Sequence, residues 1–141
     1  MNNRFTVTLE FSYKGESFEF QTDVDLDACM EKLQAIPDLH ELIARQNGID
    51  AYSYQYEVLT SEDLQFSDVK GFAAEFIHED EFDAEGFAAR WCEERIGMLV
   101  AEIARRVMGI SELAAEPALK QALMEAYRAG QAAPVYDESQ G

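Results

Sequence analysis

Residues 5–24 hold the pattern that most restricts the fold. Phe5, Val7, Leu9, Phe11 and Tyr13 alternate with Thr6, Thr8, Glu10 and Ser12. After Lys14-Gly15, Phe18, Phe20, Thr22 and Val24 alternate with Ser17, Glu19, Gln21 and Asp23. Alternation with a period of two sorts side chains onto the two faces of a strand. A two-residue loop at Lys14-Gly15, whose glycine accepts positive φ, closes the two runs into a hairpin. That loop pairs Phe11 with Phe18, Leu9 with Phe20, Val7 with Thr22 and Phe5 with Val24. All the apolar residues then share one face, and a slip by one residue would turn the set to solvent. The other face, with Glu10, Glu19, Gln21 and Asp23, is expected to be wet.

Helical spacing follows. Asp25 is placed to cap a helix from Leu26, with Leu26, Cys29, Met30 and Leu33 on one side. Pro37 ends that helix or opens the next, in which Leu39, Leu42 and Ile43 form the apolar face. One kinked helix is the alternative. Asn47-Gly48 is a stop signal. Tyr52, Tyr54, Tyr56 and Val58 then alternate with Ser53, Gln55 and Glu57, which predicts a third strand over 50–59. Leu64 and Phe66 suggest a fourth near 64–70, although Thr60-Ser61-Glu62-Asp63 has the composition of a helix start.

The remainder reads as helical. Asp83 can cap a long helix from Ala84 to about Met108. Phe87, Trp91, Leu99, Ile103 and Val107 form a stripe, widened by Ile96 and Val100, which predicts burial on more than one side. Gly109 suits a left-handed end, and Ser111 offers a further cap. Pro117 opens a last helix with Leu119, Leu123 and Tyr127 inward, ended by Gly130. The expected fold is α+β: an N-terminal hairpin within a small antiparallel sheet of three to four strands, packed on one face by helices, including two C-terminal ones. Length and the absence of a linker predict one domain over 1–130, with a flexible tail over 131–141.

Charge bounds the function. The chain carries 28 acidic and 11 basic residues, a formal net charge of -17. Ten acids and one base, Lys70, fall within residues 57–85. Six more acids and no base fall within 16–31, so the rest of the chain is nearly balanced. Nucleic-acid phosphates and anionic membrane surfaces would be repelled, because both are bound through Lys and Arg. A basic protein partner would be attracted, with faster encounter at low salt. Acidity that serves only solubility is the plain alternative.

Chemistry-bearing motifs are sparse. Cys29 and Cys92 have no framework spacing and fit a reducing compartment. The N-terminus lacks the continuous apolar run of a signal peptide, and no stretch approaches the ~20 apolar residues of a membrane span. The expectation is a soluble cytoplasmic protein. His40, His78 and the two cysteines show no zinc spacing, and both cysteines sit at apolar helix positions, where Cys acts as a small hydrophobe. The run His78-Glu79-Asp80-Glu81-Phe82-Asp83-Ala84-Glu85 offers oxygen ligands but departs from the calcium-loop pattern. No nucleophile elbow or phosphate-cradling glycine loop is present, so catalysis is not expected and no cofactor is implied. The Tyr52, Tyr54 and Tyr56 run suggests a core stripe beneath a helix or a protein-contact surface.

The leading functional expectation is a non-enzymatic protein-binding module for a partner with a basic surface. Glu57, Glu62, Asp63, Asp68, Glu75, Glu79, Asp80, Glu81, Asp83 and Glu85 are the candidate contact residues. One alternative is a nucleic-acid mimic that inhibits a DNA- or RNA-binding protein, with both acidic segments on one continuous surface. Another is a divalent-metal binder or enzyme built on residues 79–85. The oligomeric state is left open.

Overall fold

A computed structural model describes residues 1–132. The chain divides into two compact units, residues 1–89 and the part that begins at Arg90. In the first, β1 (Arg4–Tyr13) and β2 (Glu16–Asp25) form the hairpin, followed by α1 (Leu26–Leu33), α2 (Leu39–Gln46) and α3 (Tyr54–Thr60). β3 (Gln65–Lys70) leads through a 3-10 turn, Gly71–Phe76, into β4 (Ile77–His78) and β5 (Glu81–Phe82). α4 (Ala84–Met108) begins in this unit and continues into the second. The second unit adds a 3-10 turn, Leu113–Ala115, and α5 (Pro117–Ala132). The fold is α+β, with an antiparallel sheet of order β2-β1-β3 and a two-stranded β4-β5 ladder.

The hairpin has the register that the alternation requires, Phe11 opposite Phe18 and Phe5 opposite Val24. Phe5, Val7, Leu9 and Phe11 are buried, while Glu10, Glu19, Gln21 and Asp23 are exposed. Thr22 falls on the apolar face, where its hydroxyl donates to Gln46 Oε1 at 2.9 Å. That bond is what lets a polar side chain stay there. The buried residues of α1, α2 and α3 are Leu26 and Met30, Leu39, Ile43 and Ala44, and Leu59. Asp25 caps α1 by accepting from Ala28 N–H, and Asp38 caps α2 by accepting from Glu41 N–H. Pro37 therefore lies in the connector, which separates two distinct helices.

The aromatic core gathers around Phe5 and Phe87. Phe5 meets Phe66 and Phe82 edge-on at 5.1 and 5.0 Å. Phe87 stacks on Phe72 at 5.3 Å and meets Phe76 and Phe82. Asn3 is buried among these elements with every polar group used. Its N–H and Nδ2 donate to Asp27, its Oδ1 accepts from Ala73 N–H, and its carbonyl accepts from Leu26 N–H. Gly71, at φ 77°, sits against this amide, and a Cβ there would collide with Asn3 Oδ1.

Residues 54–60 form a helix, contrary to the strand that the tyrosine alternation predicts. Ser53 Oγ accepts from Tyr56 N–H, and Asp50 Oδ1 accepts from Tyr52 N–H. These local caps start a helix that buries Leu59 and half-buries Gln55, Tyr56 and Val58. A short alternation cannot be told from a helical face when it also holds apolar pairs at i,i+4 and i,i+3, here Tyr54 with Val58 and Tyr56 with Leu59. Tyr52 is 99% exposed and Tyr54 75%, so neither belongs to a core stripe. Thr60–Asp63 ends this helix rather than starting one, and β3 occupies the place of the expected fourth strand.

In the second unit, Val100 and Ala104 pack with Leu113 and Met124, flanked by Leu119, Leu123 and Tyr127. Gly109, at φ 71°, ends α4 with its N–H on the Arg105 carbonyl. Leu99, Ile103 and Val107 are exposed, which corrects the expected inward stripe: the buried side of α4 runs instead through Val100 and Ala104. Cys92 is exposed and Cys29 is half-buried. α5 continues past Gly130 to Ala132, and residues 133–141 of the expected tail lie outside the described residues.

Candidate binding site

Three connections of the first unit converge on a cavity of about 430 Å³. The α1–α2 connector contributes Ile36, Pro37 and Asp38, and the first turn of α2 adds Leu39 and His40. The segment into β3 contributes Asp63, Leu64 and Phe66, and the β4–β5 turn with the start of α4 contributes Asp80, Glu81, Phe82 and Ala84. Each connection has a local cause. Gln34 takes the left-handed conformation that ends α1, and Asp38 restarts the chain as a cap. Glu79, at φ 57°, turns the chain between Ile77–His78 and Glu81–Phe82, whose registers are Ile77 with Phe82 and His78 with Glu81.

The cavity combines an apolar floor with an acidic rim. Phe66 and Phe82 are fixed by their shared contact with buried Phe5. Asp38, Asp63, Asp80 and Glu81 are exposed, and no lysine or arginine lines the cavity. A cation about 4 Å from one such carboxylate gains about 1 kcal/mol in bulk water and about 4 kcal/mol at the effective dielectric of a protein surface. The apolar floor adds contact area for the aliphatic stem of a long cationic side chain.

His40 is committed to the structure. Its Nε2 lies 2.8 Å from the Glu62 carbonyl oxygen, so Nε2 carries the hydrogen and donates. The bond ties α2 to the end of α3. The Tyr56 phenol is pushed up, first by desolvation and then by the charges of Asp38 and Glu41. The Cys29 thiol is also pushed up, by burial first and by Asp25 second.

The acidic candidates do not form one cluster. Asp63, Asp80 and Glu81 share the cavity, joined by Asp38 from outside the two acidic segments. Asp68 lies elsewhere, in a depression of about 480 Å³ with Asp23, Asp25, Arg4 and Lys70. There β3 carries one more residue than β1 between the pairs Arg4–Lys70 and Thr6–Ser67, and Asp68 takes φ 50° at this bulge. Acids of both sequence segments thus meet at one place, with two cations among them. Asp83 is a helix cap: its Oδ1 accepts from Gly86 N–H at 3.0 Å, and a Cβ at Gly86 would clash with it. Glu57, Glu62, Glu75, Glu79 and Glu85 are exposed and line neither depression.

Among the described residues, no three His, Cys, Asp or Glu side chains converge to hold a metal ion, and no helix is long and apolar enough to cross a membrane. Asp38 was missing from the sequence-based candidates, and His40 was weighed there only as a zinc ligand. The Pro-Asp pair ahead of Leu39 was a usable cap signal, but nothing local places it beside Asp80. Comparison with protein-family models, with curated proteins and with solved structures finds no match for this chain.

Proposed function

We propose that this protein is a non-enzymatic binding module for a basic protein segment, and that one lysine or arginine of that segment enters the cavity ringed by Asp38, Asp63, Asp80 and Glu81. The observation that carries this reading is the combination of four carboxylates, an aromatic floor and no lining cation in one cavity. An isolated acidic surface would suit solubility alone, whereas an apolar floor adds specificity for a long cationic side chain. The nucleic-acid mimic is the weaker reading, because Arg4 and Lys70 interrupt the acids of the two segments in the depression they share.

The test is a nitrogen-edited NMR titration with a short amidated peptide of alternating lysine and leucine, at low salt and at about 0.5 M salt, where screening acts within a few ångströms. Expected are saturable shifts at Leu39, Leu64 and Phe82 that weaken at high salt. The triple variant Asp63→Asn, Asp80→Asn, Glu81→Gln should bind about tenfold more weakly or worse, since each exposed ion pair contributes up to about 1 kcal/mol. Shifts that map to other residues, or unchanged binding by the triple variant, would refute the proposal.

A further inference from the structure

The second unit has an apolar stripe that its own helical hairpin leaves uncovered. Along α4, Cys92, Ile96, Leu99 and Ile103 are spaced four, three and four residues apart. This is the alternation that holds a seam on one side of a helix. Val107 extends it by a turn. Val100 and Ala104, on the neighbouring side, are buried against Leu113 and Met124. On the stripe, Leu99 is 41% exposed, Ile103 40% and Val107 70%. Cys92 is exposed, and Ile96 is half-buried at the edge of the core. Among the described residues, five of the nine exposed large hydrophobic side chains lie between Met98 and Met108. Apolar residues scattered singly over a surface need no explanation, but a concentration on one helix marks a contact surface.

The flanking charges specify what covers it. With Ile96 and Ile103 at a positions and Cys92 and Leu99 at d positions, Arg95 and Glu102 both fall at g. Two copies running antiparallel about an axis between Gly97 and Met98 would layer Ile96 on Leu99 and Cys92 on Ile103. In that register Arg95 of one copy meets Glu102 of the other, and the contact occurs twice. In a parallel pair the same residues would face Val100 and Val107 and find no opposite charge. Both ends of the contact are available. Arg95 lies over the Trp91 ring at 5.3 Å, which steadies its guanidinium near the seam. Glu102 bonds Arg105 within its own helix, and its side chain remains 56% exposed. The core of the second unit contains few buried side chains, a situation in which oligomerisation commonly supplies additional burial.

We infer that the protein self-associates through this stripe, as a two-fold antiparallel pair of α4 helices with reciprocal Arg95–Glu102 contacts. The seam from Cys92 to Ile103 is about 17 Å long at 1.5 Å per residue, so the dimer is a small interface. Its dissociation constant is expected between about 10 and about 100 µM.

Sedimentation equilibrium of the full chain, with reductant and at about 0.15 M salt to screen repulsion between acidic copies, tests this over about 5 to about 500 µM. Wild type should pass from monomer to dimer in that range. Leu99→Asp with Ile103→Asp should stay monomeric with an unchanged circular dichroism spectrum, since both side chains are exposed. Arg95→Glu alone should weaken the dimer about tenfold, the effect of two lost ion pairs. Adding Glu102→Arg should restore it to within about threefold. Orientation is read by oxidising Ile103→Cys: mass spectrometry should find residue 92 linked to residue 103 of the other copy. A wild type that is monomeric throughout, a dimer that survives the aspartates, a charge swap without rescue, or a Cys92–Cys92 link would each overturn the inference.

Discussion

The two units differ in what they offer to a partner. Residues 1–89 contain twenty acids and five bases, a net charge of -15, whereas residues 90–141 contain eight acids and six bases, a net of -2. The first unit packs Phe66, Phe72, Phe76 and Phe82 around Phe5 and Phe87, leaves Tyr52 and Tyr54 exposed, and presents carboxylates. The second balances its charge in local pairs, such as Arg90 with Glu94 and Arg128 with Glu93, and presents Leu99, Ile103 and Val107. Long-range attraction therefore belongs to the first unit and short-range apolar contact to the second. Encounter through the first should respond to salt, while contact through the second should respond to concentration.

The largest test of this contrast compares aromatic with aliphatic truncation. Phe5→Ala removes a 2%-exposed ring from the centre of the first unit and should cost about 3–5 kcal/mol in urea unfolding. Leu99→Ala, on the exposed stripe, should stay within about 0.5 kcal/mol at concentrations where the chain is monomeric. Similar losses for the two would mean that the stripe is part of a core after all.

Asn3→Ala sharpens the contrast at a polar site. It strips partners from Asp27 and from the buried Ala73 N–H, and should cost about 2–3 kcal/mol. Amide exchange at Ala73 should speed up more than at the hairpin amides. Equal protection at Ala73 in the variant would count against Asn3 as the pin between α1 and the Gly71–Phe76 turn.

Smaller again is Ser53→Ala, which deletes the cap of α3 and should cost about 1 kcal/mol. Carbon chemical shifts over 54–60 should lose helical character in the variant and show it in wild type. Extended shifts in wild type would restore the strand.

The smallest effect concerns Glu102, whose carboxyl is held below its usual range by the hydrogen bond and charge of Arg105. A carboxyl depressed in the folded state contributes stability above its unfolded value, and that contribution is lost as pH falls through the folded value. The gap between wild type and Glu102→Gln should therefore be present at neutral pH and close in acid. A side-chain NMR titration that leaves Glu102 at the ordinary glutamate value would remove the basis for this.

Local signals were reliable where one side-chain pattern and one turn or cap agreed. The hairpin register followed from alternation plus Lys14-Gly15, and the ends of α4 followed from Asp83 and Gly109. The tyrosine run failed because its alternation and the Ser53 cap disagreed, and the cap won once Leu59 could be buried. The acidic cavity was half legible: Asp63, Asp80 and Glu81 stood out as charges, but nothing local places Asp38 and His40 beside them.

By itself, then, the sequence determined the hairpin and its faces, the helix limits set by caps, and the concentration of charge before residue 89. Each depends on residues within a turn or a strand pair of one another, so short-range geometry is enough. Tertiary structure decided that the Ser53 cap prevails over the tyrosine alternation and residues 54–60 form a helix, that Leu99, Ile103 and Val107 face outward, and that three separated connections enclose one acidic, aromatic-floored cavity. Those outcomes turn on which apolar surface finds a partner, and burial is settled by residues far apart in the chain.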